Sequence, residues 1–191
     1  MGSQYIANPI EFLVSTLFGL YILAVMLRFL LQMVRADFYN PISQFLVKIT
    51  QPPLRPLRRI LPGWGGVDLA SIVLLILLQM LSLGLVNAIR GIPFLPGPLF
   101  FFAIGELVRL LLNIYLFAII IQAILSWVNP GGYNPALGLL HSLTEPVLRP
   151  ARRLLPPISG LDLSPIVVLI AIQLLKMLLL PPIYQLARAV A

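Results

Sequence analysis

Apolar side chains along this chain gather into four long runs, at about 9–34, 67–89, 99–128 and 163–187, and the polar positions between them fall mainly in two stretches, 35–66 and 129–160. A helix rises about 1.5 Å per residue, so about 20 apolar residues cross a hydrocarbon core about 30 Å thick. Each run therefore predicts a membrane-spanning helix. The first is long enough to cross with some tilt, and the third, 99–128, is tilted or begins outside the hydrocarbon. In the fourth, Pro181 and Pro182 are expected to end or kink the helix. Met1 to Asn8 lacks the basic region of a cleavable signal peptide, and the run behind it is too long for one, so none is expected.

The polar stretches have their own pattern. Asn40 before Pro41 is an N-cap followed by proline at the first helical position, which predicts a short helix through Thr50. Pro52, Pro53 and Pro56 should then break and restart it. Leu54, Leu57, Ile60 and Leu61 are expected to dip into the membrane interface while Arg55, Arg58 and Arg59 face headgroups, so the segment reads as an amphipathic element lying on the bilayer. Asp68 is placed to cap the second span, where the helix dipole favours a carboxylate. A Gly/Pro-rich connector, 90–98, leads to the third span.

All of this is then repeated 94 positions later. Tyr39, Asn40, Pro41, Thr50, Pro52, Leu54, Arg55, Pro56, Arg58, Arg59, Leu61, Pro62, Gly66, Asp68 and Leu69 recur as Tyr133, Asn134, Pro135, Thr144, Pro146, Leu148, Arg149, Pro150, Arg152, Arg153, Leu155, Pro156, Gly160, Asp162 and Leu163. Between 21–81 and 115–175 roughly four positions in ten are identical. The chain divides into a first repeat, 1–92, and a second, 93–191, each two spans joined by a basic loop. The fold class is an all-α membrane protein of four transmembrane helices arranged as two parallel-repeat hairpins, related by a pseudo-two-fold axis along the membrane normal.

Composition agrees: 60% of residues are apolar and 10% charged, against about 25% charged in soluble domains. Little chain remains for a separate soluble catalytic domain. With no cysteine, disulfides, thiolate metal sites and thiol nucleophiles are excluded. The net charge of +7 sits beside the spans, which points to anionic headgroups and topology before nucleic acid, and no direct nucleic-acid contact is expected. One loop carries Arg35, Lys48, Arg55, Arg58 and Arg59 against Asp37, the other Arg149, Arg152 and Arg153 against Glu145. Both belong in the cytoplasm, with the two termini and the connector on the opposite side.

Candidate functional residues follow from the same pattern. Arg55, Arg58, Arg59, Arg149, Arg152 and Arg153 recur at fixed spacing with prolines, which suits docking of lipid headgroups or an acidic partner surface beyond a topology signal. Asn40, Asp68, Asn134 and Asp162 read as structural caps, the aspartates also within reach of arginines of their own loop. Gln79 and Gln173 hold equivalent mid-span positions, where an interhelical hydrogen bond across the pseudo-two-fold is expected and a permeation path is the competing use. Glu106, Arg109 and Asn113 share one face of the third span, with the first two as an ion pair. Arg28 and Lys176 can snorkel to an interface, but if the fourth helix continues through its prolines Lys176 lies near the bilayer centre and becomes a functional candidate. His141 stands alone, with no second imidazole or thiolate to share a metal or haem, and no phosphate-binding glycine loop or nucleophile elbow occurs. No metal, cofactor or enzymatic activity is expected.

The Tyr-Asn-Pro triplets and the Pro-x-Leu-Arg-Pro-x-Arg-Arg-x-Leu-Pro-x-x-x-Gly-x-Asp-Leu blocks resemble the YggT family of bacterial and plastid membrane proteins, over 21–175. Met33 against Trp127 and Ser71 against Pro165 are the departures between copies. The resemblance implies a multi-pass protein of the bacterial inner membrane, from a family associated with osmotic tolerance and potassium uptake, with cell division and nucleoid organisation, and in chloroplasts with haem attachment to the b6 cytochrome. It carries no catalytic residues. Two readings follow: a scaffold or assembly factor whose basic loops bind anionic lipid and a membrane-protein partner, or a channel or transporter subunit contributing to ion movement. A homo-oligomer is compatible with either.

Overall fold

In the computed structural model, which describes residues 2–128, 134–154 and 162–190, the chain is all helix apart from its connections. The helices are α1 (Gly2–Met33), α2 (Pro41–Ile60), α3 (Leu69–Ile89), α4 (Pro96–Val128), α5 (Pro135–Leu154) and α6 (Ser164–Ala189). Four segments are long and apolar enough to cross a membrane: Asn8–Met33, Leu69–Ile89, Pro96–Leu125 and Ser164–Ala189. They fall on the four apolar runs, and α2 and α5 occupy the two basic loops. Tyr133, Leu155, Pro156 and Gly160 of the repeated motif lie outside the described residues.

The helix ends follow local chemistry. α1 closes in a Schellman arrangement, Ala36 N–H to Leu31 O at 2.9 Å and Arg35 N–H to Gln32 O at 3.1 Å. Arg35 takes the left-handed position with φ +54°. α3 ends in the same way, with Ile92 N–H to Asn87 O and Gly91 N–H to Ala88 O, but there the left-handed residue is Gly91, φ +71°. Between α2 and α3, Gly65 and Gly66, φ +60° and +85°, form a tight turn closed by Trp64 and Val67. That turn returns the chain to Asp68, which caps α3 as expected through a hydrogen bond from Ser71 N–H.

Two proline expectations are corrected. α2 does not stop at Thr50; it continues through Pro52, Pro53 and Pro56 to Ile60. Pro53 removes the amide that would bond Ile49 O, and the Tyr21 hydroxyl from α1 donates to that carbonyl instead, at 3.2 Å. Likewise α6 runs through Pro181 and Pro182 to Ala189. Its last turns are seated on α4, where the Tyr184 ring covers Gly105, its hydroxyl donates to Glu106 Oε1 at 3.0 Å, and Phe102 lies with its ring centre 6.0 Å away. In α2 a neighbouring helix thus supplies a donor that a proline withholds, and in α6 packing against α4 holds the turn beyond the prolines.

Each repeat packs as a hairpin, α1 with α3 and α4 with α6, and the basic helix touches both members of its own hairpin. Leu54 and Leu148, repeat equivalents, are 0% and 1% exposed beneath their hairpins, each stabilising the docking by about 1.5–3 kcal/mol. At the loop end the two copies meet: Asn40 caps α2 with its oxygen and donates its amide to Pro135 O of α5 at 2.7 Å. At the opposite end, Arg90 grips Glu11 at 2.7 and 2.9 Å in the first repeat. The equivalent positions in the second repeat are Tyr184 and Gly105, so a salt bridge in one copy is a ring-on-glycine contact in the other.

Between the halves the packing is not reciprocal. α3 lies against α4, whereas the equivalent pair, α6 and α1, makes no contact. The expected pseudo-two-fold does not describe how the halves associate. A consequence is that α6 is the least buried span and exposes Ile166, Ile170, Leu174 and Leu178 on its outer side.

A methyl group at Gly105 would lie 2.6 Å from the Tyr184 ring, whereas one at Gly138 of α5 meets nothing within 4 Å. Gly105→Ala should therefore destabilise the protein by about 1–3 kcal/mol, while Gly138→Ala should be neutral or stabilise by up to about 1 kcal/mol. Thermal unfolding of the two variants in the same detergent decides this; equal midpoints would show that α6 is not seated on Gly105.

Candidate functional site

The six repeated arginines separate into two kinds. Arg58 and Arg152 fold inward and are half-buried, while Arg55, Arg59, Arg149 and Arg153 stand on the exposed side of α2 and α5. The inward pair latches each basic helix to the span that follows. Arg58 binds Asp68, which also accepts from the Ser71 hydroxyl at 2.7 Å. Arg152 binds Asp162 at 2.9 Å and Glu145 at 2.8 Å. Asp162 accepts from Ser164 N–H at 2.9 Å, as a cap one residue further from its helix than Asp68. Asn134 accepts from Ala136 N–H at 2.9 Å at the start of α5, as Asn40 does from Ile42 N–H at the start of α2.

A second latch joins each basic helix to the span before it. Thr50 and Thr144 are both 0% exposed; the Thr50 hydroxyl donates back to Leu46 O at 2.6 Å, and Thr144 Oγ1 lies 2.8 Å from Leu140 O, one turn earlier in its helix. In the first repeat Arg28 of α1 donates to Thr50 Oγ1 at 2.8 Å, to Gln51 Oε1 at 2.9 Å and to Val47 O at 3.4 Å. In the second, Gln122 stands where Arg28 does and is bonded by the Thr144 hydroxyl, with His141 Nδ1 3.4 Å from its amide nitrogen. Arg28 is 6% exposed and reaches sideways into α2. That role was not readable from its position alone, but an arginine facing a repeated threonine that keeps its place when the arginine becomes glutamine is the signal.

Electrostatics at the latches is specific. Burial pushes the Asp68 carboxyl up, but hydrogen bonds from Arg58 and Ser71 outweigh it and hold the group below its ordinary 3.8. For Asp162 burial is again overcome, by Ser164 and Arg152, and the group lies below 3.8. Burial pulls Arg152 down, and its two carboxylates more than restore it, leaving it above the ordinary guanidinium value.

The polar residues within the spans form a different site. Glu106 pairs with Arg109 as expected and also holds Tyr184. Because α6 continues, Lys176 sits midway along it and donates to Asn113 Oδ1 of α4. Beside them a cavity of about 500 Å³ is lined by Gln79, Ser82 and Ser15 with Glu106, Arg109 and Asn113. Gln173 is absent from it: it is exposed on α6, and since α3 and α6 do not touch, the expected hydrogen bond between Gln79 and Gln173 is not formed. Among the described residues no three His, Cys, Asp or Glu side chains converge as metal ligands would.

The family model described as CCB3/YggT matches the chain twice, over 7–89 and 101–183. The chain is 49% identical over 171 residues to an uncharacterized protein of Pseudomonas aeruginosa, covering 88% of this chain and 87% of that one. It is 43% identical to an uncharacterized protein of Vibrio alginolyticus over 90% of this chain and 94% of the relative. It is also 38% identical to the uncharacterized protein YggT of Escherichia coli K12, over 89% and 88%. No solved structure matches. The chain belongs to the CCB3/YggT family, and its two matched segments carry the two repeats.

The lowered aspartates set a pH dependence. A carboxylate held below its unfolded value contributes stability that is complete above that value and lost as pH falls through the folded one. The unfolding midpoint should be flat on the acid side down to about pH 5 and fall below about pH 4. The double variant Asp68→Asn, Asp162→Asn should start lower and show a shallower acid-side fall; an unchanged profile would show that the latches carry no stability.

Proposed function

We propose that this member of the CCB3/YggT family is a non-enzymatic scaffold or assembly factor of the bacterial inner membrane, its basic helices on the cytoplasmic side, where they bind anionic lipid and recruit protein partners. The observation that carries this reading is the division of labour among the arginines. In each repeat the middle arginine is tied to an aspartate latch, and the flanking pair, Arg55 with Arg59 and Arg149 with Arg153, is held outward at the same spacing. None of these four has an acidic partner among the described residues. Rigid presentation of four unpaired guanidinium groups along one end of a membrane bundle suits headgroup phosphates and acidic surfaces.

A second reading, a channel or transporter subunit, is favoured by the cavity between α1, α3 and α4 with its Gln79, Glu106, Arg109 and Asn113 lining. Against it stands the outward placement of Gln173, which leaves the two equivalent glutamines without a common path.

Reconstitution separates the two. At about 1 kcal/mol per basic residue, changing Arg55, Arg59, Arg149 and Arg153 to glutamine should reduce the preference for phosphatidylglycerol over phosphatidylcholine at least about tenfold, measured by brominated-lipid quenching of tryptophan fluorescence. An unchanged preference in correctly inserted protein overturns the scaffold reading. A potassium flux that is abolished by Gln79→Leu and indifferent to the arginine changes would establish transport in its place.

A further inference from the structure

Where the last turns of α1 meet α2, a cavity of about 370 Å³ opens between Arg28, Arg35, Arg58, Gln32 and Ser43, with Phe38 and neighbouring aliphatic side chains as its apolar wall. No carboxylate lines it. Arg28 hydrogen-bonds to neutral acceptors only, Asp68 is bound by Arg58 and Ser71, and Arg35 has no acidic partner among the described residues. Asp37, two residues after Arg35, accepts from Tyr39 N–H at 2.9 Å and is exposed. Of the three arginines, Arg28 is the buried one, at 6% exposed, and a buried charge with no carboxylate in contact is costly.

A second observation is independent of charge. Ser43 is 7% exposed, lines the cavity, and its buried hydroxyl has no hydrogen-bond partner. Buried hydroxyls are normally paired, and an orphan calls for a missing partner. Its equivalent in the second repeat is Leu137, which needs none.

The internal duplication shows that the arrangement is particular to one copy. At equivalent positions the first repeat has Arg28, Gln51, Arg58 and Asp68, and the second has Gln122, Glu145, Arg152 and Asp162. Two arginines against one carboxylate have become one arginine against two. Both copies keep the threonine latch and the Arg–Asp latch, so the difference in charge is not needed to dock the basic helix. Arg35 adds to this, because it occupies a left-handed position that glycine would fill with less strain, as Gly91 does at the end of α3.

We propose that this cavity is an anion site, specific to the first repeat, that takes one phosphate group through Arg28, Arg35 and Arg58 with the Ser43 hydroxyl as a further donor. Three guanidinium groups retain free N–H donors beyond the bonds already made, which matches a tetrahedral oxyanion. The apolar wall favours the headgroup of an anionic phospholipid as the source, with free phosphate presenting the same chemistry. This deepens the lipid-binding reading above and rests on it only for that choice of source.

The test uses full-length protein in detergent, titrated with dioctanoyl-phosphatidylglycerol, with inorganic phosphate, and with dioctanoyl-phosphatidylcholine, and read by calorimetry. Arg35→Gly removes the guanidinium while giving the backbone the residue its φ prefers, so it should fold at least as well as the parent. Ser43→Ala removes only an unpaired hydroxyl. The expected result is one saturable site per chain for phosphatidylglycerol, weakened about tenfold by Arg35→Gly and less by Ser43→Ala, with weaker binding of phosphatidylcholine. Phosphate binding as tightly as the lipid assigns the site to the free ion; phosphate binding much more weakly assigns it to the headgroup. No saturable site for either, or a site indifferent to Arg35→Gly, overturns the proposal. The variant lacking Arg55, Arg59, Arg149 and Arg153 should keep this site while losing the bulk anionic preference, so the two readings fail separately.

Discussion

Everything at the loop end of this protein depends on two buried threonines. Thr50 and Thr144 sit at the crossing of a basic helix and the span before it, fully enclosed, each hydroxyl turned back on its own helix. A buried hydroxyl has one donor and two acceptor sites, and the neighbouring span meets the accepting side of Thr50 but the donating side of Thr144. Arg28 donates to Thr50 in the first repeat, while Gln122 is bound through Thr144 in the second. Once that contact is made, the leucine one turn on, Leu54 or Leu148, is forced beneath the hairpin and the arginine after it is brought beside the aspartate that begins the next span. The basic helix is therefore held on both sides, and only then do its remaining arginines acquire a fixed outward direction.

The two copies keep this mechanical plan while changing what fills it. Glu11 with Arg90 becomes Gly105 with Tyr184, and Gly19 with Ser82 becomes Asn113 with Lys176. In the first repeat the small pair Gly19 and Ser82 lines open volume; in the second the same depth is filled by a hydrogen-bonded Lys–Asn pair. Duplication fixes the positions at which helices cross, and the crossing then tolerates any pair whose volume and hydrogen bonds close locally.

How far the sequence foretold this varies with the range of the interaction. The four spans, the caps at Asn40 and Asp68, and the pairing of loop arginines with their aspartates were legible because each depends on residues within about a dozen positions or on hydropathy averaged over a run. The continuation of α2 through three prolines was not, because the donor that replaces the lost amide comes from Tyr21, 28 positions away. Gln79 and Gln173 misled for a related reason. Equal residues at equal repeat positions suggest equal surroundings, but the halves associate without reciprocity, so one glutamine lines a cavity and the other faces outward.

Non-reciprocal packing also bears on Lys176. An ammonium within an apolar span must find acceptors nearby, and among the described residues Lys176 donates to the neutral Asn113, while Glu106 is held by Arg109 and Tyr184. Pro181 and Pro182 lie on the following turn, and their missing amides leave the Met177 and Leu178 carbonyls without helix donors. Both features of α6 are met by α4: Tyr184, beyond the prolines, is bonded to Glu106, and Lys176 is bonded to Asn113.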